Sequence, residues 1–165
     1  MDAWDGYDAE RDFIARQVKE NNVENLVVLT GDLHSYIASH VKLDYLDPDR
    51  DNEDNFVAVE FMTPSVTSAG LLQLLKLQDT NPEYSSPAEK LLIDAILQGV
   101  AHIQNPHIYF FNSTDNGYST VEFSKDHCDW KCYRVDKNVN DGNQTPKMLR
   151  HYRKVQGNHK LVRMD

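Results

Sequence analysis

The run Leu26-Val27-Val28-Leu29 constrains this chain most. Four apolar, partly β-branched residues predict a strand covered on both faces. The run passes through Thr30-Gly31 and then presents Asp32 and His34, a carboxylate and an imidazole two residues apart. If the segment stays extended, both side chains point to the same side. In α/β sheets, chemistry collects beyond the carboxyl ends of the strands. A hard oxygen donor beside a nitrogen donor suits a transition-metal or mixed-metal site. The plainer reading stands beside it: an Asp after Gly caps turns, and a His at a strand end is often only hydrogen-bonded.

The remaining pattern predicts an α/β chain. Residues 8–21 read as a helix, with Asp8 as cap and Phe13, Ile14, Gln17 and Val18 on one mostly apolar face. Strand 26–29 follows and is expected in the sheet interior. Residues 36–43 and 56–62 read as further strands joined by a long acidic connection. Thr63-Pro64-Ser65 breaks the last of these. Leu71, Leu72, Leu74, Leu75 and Leu77 predict a buried segment. Ser86-Pro87-Ala88-Glu89 is a helix start, with Ser86 as N-cap and Glu89 completing a capping box. Leu91, Leu92, Ala95, Ile96 and Val100 then share a face expected to be core. Residues 108–112, 118–124 and 128–135 predict an antiparallel β-meander. Met148, Leu149, Tyr152 and Val155 predict a short amphipathic helix. The class is thus a layered sheet with helices, ending in an antiparallel meander.

Charge narrows the partners. The formal net charge is −9, which argues against nucleic acid held on a broad basic surface. No apolar run approaches a membrane span. Residues 44–55 carry Asp44, Asp47, Asp49, Asp51, Glu53 and Asp54 against Arg50 alone. That stretch fails as a calcium loop, because Asn52 replaces the required glycine and Ala58 the bidentate Glu. Residues 146–165 are basic instead, and residues 138–165 read as a basic C-terminal tail to a domain portion over residues 1–137. Cys128 and Cys132 are the only cysteines. On one strand they lie too far apart for a disulfide, so both read as packing residues.

Three blocks carry more than their parts. They are Trp4-Asp5-Gly6-Tyr7, the strand into Gly31-Asp32-Leu33-His34, and Glu60-Phe61-Met62-Thr63-Pro64-Ser65-Val66-Thr67-Ser68, followed by Asn105-Pro106-His107. In this order they resemble the PhoD-like alkaline phosphatases and phosphodiesterases, a branch of the calcineurin-like metallophosphoesterases. The resemblance covers about residues 2–135. It implies hydrolysis of phosphate mono- or diesters by a metal-bound hydroxide, with iron and calcium fitting best and other divalent ions open. It implies Asp32 and His34 as metal ligands, and the Trp-Asp-Gly-Tyr block, with Asp5, near the mouth of the site. Further ligands of such enzymes lie in earlier blocks, so the resemblance implies the C-terminal portion of a longer enzyme completed by a missing N-terminal portion or a partner chain. The alternative is a catalytically incomplete binding or oligomerisation module that keeps the fold but lacks most ligands. A homo-oligomer is expected if apolar faces stay uncovered.

Other candidates divide. His107 either reaches the site as a catalytic group or is a structural turn histidine. Arg11 is expected to pair with Asp8 rather than face phosphate. Ser65 lacks a Gly-x-Ser-x-Gly elbow and a paired base. His40, His102, His127, His151 and His159 read as surface or hydrogen-bonded residues.

Overall fold

The computed structural model describes residues 4–49, 51–71, 86–139 and 144–165, apart from the side chain of Asp5. The leucine-rich segment lies outside the described residues beyond Leu71. A short 3-10 turn, Trp4–Gly6, leads into helix α1 (Asp8–Glu20). Strands β1 (Val27–Thr30), β2 (Tyr36–Lys42) and β3 (Phe56–Met62) follow. Helix α2 (Pro87–Gln104) precedes β4 (Ile108–Asn112), β5 (Asn116–Phe123), β6 (His127–Val135), β7 (Lys147–Val155) and β8 (Leu161–Arg163).

The strands form two four-stranded sheets, ordered β1-β3-β2-β4 and β5-β6-β7-β8. In the first, β1 runs parallel to β3, with Leu29 opposite Phe61, while β2 is antiparallel to β3 and β4. The second is wholly antiparallel. Alternation places Tyr36, Ala38, Val59, Phe61 and Phe110 on the face toward the second sheet, which answers with Cys128, Trp130, Cys132 and Tyr152. Trp130 is fully buried; its ring stacks on Phe61 at 5.2 Å between centroids and meets Tyr36 edge-on at 6.4 Å. Both cysteines are free and buried on this face, as packing residues should be.

The capping box is formed as the sequence implies. Ser86 Oγ accepts from Glu89 N at 3.2 Å, and Glu89 Oε2 accepts from Ser86 N at 2.8 Å. In the acidic connection, short side chains fold back on the main chain. Asp44, Asp47 and Asp49 each accept from the backbone N–H two residues on.

Three expectations need correction. β1 is an edge strand among the described residues, and Leu29 is 55% exposed. A continuous apolar run fits an edge strand as well as a central one, since hydrophobicity does not count a strand's neighbours. The apolar face of α2 is likewise open: Leu91 is 71% and Ile103 80% exposed, and no residue of this helix is fully buried. Finally, residues 147–155 are a strand, not an amphipathic helix. Arg150 pairs opposite Cys132, Tyr152 opposite Trp130, and Lys154 opposite Cys128. Alternate residues Tyr152 and Lys154 point inward and are buried, a period of two that four scattered apolar positions did not reveal. The basic stretch therefore supplies two strands of the second sheet.

Gly117 marks a close approach between the sheets. A Cβ there would stand 1.9 Å from Tyr133 O and 2.3 Å from Tyr36 Oη, whose hydroxyl donates to that same carbonyl at 2.6 Å. Gly99, inside α2, has nothing within 4 Å of such a Cβ. In urea unfolding, Gly117→Ala is expected to destabilise by about 2 kcal/mol or more, and Gly99→Ala to stabilise by about 1 kcal/mol through helix propensity. Equal effects of the two substitutions would contradict the packing described.

Candidate functional site

The chain leaves β1 through a strained turn. Asp32 and His34 both adopt left-handed backbone, with φ of 70° and 56°. Such conformations cost a non-glycine residue about 1 kcal/mol or more and persist only where surroundings enforce them. The segment is not extended, so the alternation argument that would align residues 32 and 34 does not hold. Asp32 is exposed and His34 half-buried.

His34 is fixed by its partner. Its Nδ1 lies 2.5 Å from Ala69 O. A carbonyl can only accept, so Nδ1 carries a proton, and in the neutral ring Nε2 is the nitrogen with the lone pair. Metal-bound histidines are oriented by this type of contact. Ala69 belongs to the loop after β3, and that loop is held from the other sheet. Asn116 Nδ2 donates to Ser68 O at 2.8 Å and to Ser65 O and Oγ at 3.1 Å, while Gly117 N donates to Ser65 O at 3.2 Å. Ser65 Oγ itself donates to Ser68 O at 2.9 Å, which accounts for that hydroxyl as a loop clasp. Asn116 was not anticipated as part of this arrangement. Asn116-Gly117 reads locally as a turn, and only the packing of sheet on sheet brings it to the loop.

His107 lies elsewhere. It lines a cavity of about 650 Å³ on the α1 side of the first sheet, together with Trp4, Arg11, Tyr45, Thr30 and Glu60. Asp32 and His34 do not line it. The structure thus places the Trp4 turn and His107 on one cavity, which Thr30 at the end of β1 also lines. Asp5 lies in the Trp4 turn, and its side chain is outside the described residues. The His107 ring packs edge-on against Tyr45 at 4.8 Å, and burial, assisted by the Lys42 charge, lowers its pKa to about 4. Arg11 pairs with Asp8 at 3.0 Å, as expected, and also stands 5.4 Å over the Tyr45 ring. Glu60 is engaged by hydroxyls: Thr30 Oγ1 donates to one oxygen at 2.7 Å and Ser39 Oγ to the other at 3.2 Å.

The remaining histidines are mostly explained by their contacts. His40 is buried and its ring Nε2 donates to His159 O at 2.6 Å. Burial lowers its pKa to about 4. His151 and His127 flank Asp129 at 3.3 and 3.6 Å, where Arg153 makes two 2.7 Å bonds and holds the carboxyl down to about 2.

Asp32 and the Nε2 of His34 have donor chemistry that fits a metal. Among the described residues, however, no group of three or more His, Cys, Asp or Glu side chains comes together in a way that could hold an ion. The residues present fit as part of a ligand set, not as a closed one.

Comparison with known proteins places this arrangement. The sequence pattern of the PhoD-like phosphatases matches residues 1–132. The chain belongs to that family. It is 33% identical over 112 residues to alkaline phosphatase D of Bacillus subtilis (strain 168), a stretch that is 68% of this chain and 15% of that protein. A solved structure described as the structure of PhoD superposes with a TM-score of 0.65 at 22% identity, covering 99% of this chain and 27% of that one. At that identity the likeness establishes the fold alone. The α/β layers and the antiparallel β5–β8 sheet are therefore those of a phosphoesterase-like fold, over a small part of its relatives' length.

Two measurements check these contacts. The His107 imidazole is expected to titrate near pH 4 by NMR, and a midpoint between 6 and 7 would place the ring in solvent. An unfolded histidine takes its proton near 6.5 while folded His107 and His40 refuse it until about 4. Stability therefore falls as pH drops from 6.5 toward 4. Separately, imidazole 15N shifts should report the Nδ1–H tautomer at His34. Asn116→Ala should loosen the loop, mix in the Nε2–H tautomer and cost about 1–3 kcal/mol. An unchanged His34 signal would uncouple the two.

Proposed function

We propose that these residues form a catalytically incomplete module of the PhoD-like fold, one that presents the Asp32–His34 turn but does not by itself hold a metal. The observation that carries this reading is the turn: strained backbone at both residues and a His34 ring with Nδ1 committed to Ala69 O, set among described residues that bring no third ligand to it. A binding or assembly role is supported by the open apolar face of α2, with Leu91, Leu92, Ile96 and Ile103 exposed. A second copy of the chain is one partner such a face could take.

A second reading is favoured by the family match and by the His34 tautomer. In it, this segment serves a longer PhoD-like phosphatase that hydrolyses phosphate mono- or diesters. Asp32 and His34 would then hold iron, calcium or another divalent ion alongside ligands from elsewhere. Bound metal would supply Lewis acidity and an activated water. The chain's own part would be to keep Nε2 unprotonated through Ala69 and to hold the turn rigid through Asn116. Asp5 enters this reading near the mouth of the site through the Trp4 turn, and His107 as a group lining the same cavity as that turn.

Turnover of an aryl phosphate ester by the purified chain, with added iron, calcium, manganese or zinc, separates the two. The expected result is no rate above that of metal and buffer, with manganese broadening the His34 ring signals only at millimolar concentration. Metal-dependent turnover abolished by Asp32→Ala would overturn the incomplete-module reading in favour of the second.

A further inference from the structure

Lys154 is the buried cation of the second sheet that has no carboxylate partner. Its residue is 2% exposed, on the inward face of β7 opposite Cys128. Nζ donates to Asn25 Oδ1 at 2.7 Å and to Val155 O at 3.3 Å. Both acceptors are neutral, and an ammonium has three protons to give. The contrast with other cations nearby is clear. Arg153 is bidentate on Asp129, and Lys90 sits on Asp115. Among the described residues no Asp or Glu pairs with Lys154; Glu24 acts on it only through space. Burial lowers its pKa, and the facing Cys128 thiol is itself raised, hence neutral at pH 7. An uncompensated buried charge is costly, and that cost is relieved by an anion or by loss of the proton.

The surroundings favour an anion. Lys154 lines a cavity of about 190 Å³ with Asn25, Ser124, Lys125, His127 and Gln156. That is room for several waters, enough for one small oxyanion. Lys125 adds a second cation at the rim, and no carboxylate lines the cavity. The floor is held in place from two elements, since Asn25 Oδ1 also accepts from Gly157 N at 2.8 Å. Neither Asp32 nor His34 lines this cavity, which opens between the loop before β1 and the β5–β6 turn.

We propose that this cavity is a binding site for a small oxyanion of the phosphate or carboxylate type, held by the Lys154 ammonium with Lys125 at its rim. The anion accepts the third ammonium proton and balances a charge that the fold leaves alone. The site needs no metal and no turnover, so its test is independent of the reading of the Asp32–His34 turn.

The experiment is an NMR titration of the whole chain with orthophosphate, acetate and chloride at constant ionic strength and pH 7. Saturable shifts at residues 123–128 and 154–157 with phosphate or acetate are expected, and the anion that saturates first identifies the arm. Lys154→Met should lower affinity about tenfold or more, the worth of one charge-assisted hydrogen bond, and Lys125→Ala by a smaller factor. Shifts that never saturate, that chloride reproduces, or that survive in Lys154→Met would overturn the proposal. If Lys154→Met fails to fold, the wild-type Lys154 ammonium resonance decides: it moves saturably with the oxyanion, or the site is not there.

Discussion

The stacking of Trp130 on Phe61 joins two sheets that neighbour each other nowhere through a backbone ladder. Around it Tyr36, Phe110 and Tyr152 close a single aromatic core. Aromatic pairs at these separations add about 1 kcal/mol each beyond the area they bury. The larger consequence is geometric. With the sheets held face to face, Gly117 can approach Tyr133 O, Tyr36 Oη can reach the same carbonyl, and Asn116 can clasp the loop after β3.

Asn116 holds Ser65 and Ser68, their loop places Ala69 O, and Ala69 O accepts a hydrogen bond from Nδ1–H of His34. A residue of the second sheet is thus linked, through one loop, to the imidazole of the turn after β1. Membership of the PhoD-like phosphatase family gives this linkage its context. Asn25 is a second polar centre joining distant elements: its Oδ1 accepts from both Lys154 Nζ and Gly157 N, tying the loop before β1 to β7 and to the β7–β8 turn.

Much of the secondary structure was legible because local rules agreed. Ser86-Pro87-Ala88-Glu89 and the run from Phe56 to Met62 each combine a start or stop signal with a matching period. Asp8 does not cap α1: it is the first helical residue, behind Tyr7, and no side chain caps that end. Where only hydrophobicity spoke, the reading failed. Leu29 and Leu91 are apolar and exposed, and residues 147–155 carry apolar side chains at spacings that suit either period. Pairing with β6 settles that segment as a strand, and pairing is a non-local fact.

Sequence by itself determined the α/β class, the family blocks, the capping box and the presence of a carboxylate and an imidazole after β1. These are local, because each depends on residues a few positions apart. Tertiary structure alone decided that β1 is an edge strand among the described residues, that His107 shares a cavity with Trp4, and that Nδ1 of His34 meets Ala69 O. It also decided that Lys154 is buried without a carboxylate. Each of these turns on contacts between residues tens of positions apart, such as Asn116 with Ser68 or Lys154 with Asn25. Such contacts exist only once the two sheets have packed, because no local propensity encodes which buried group will meet which.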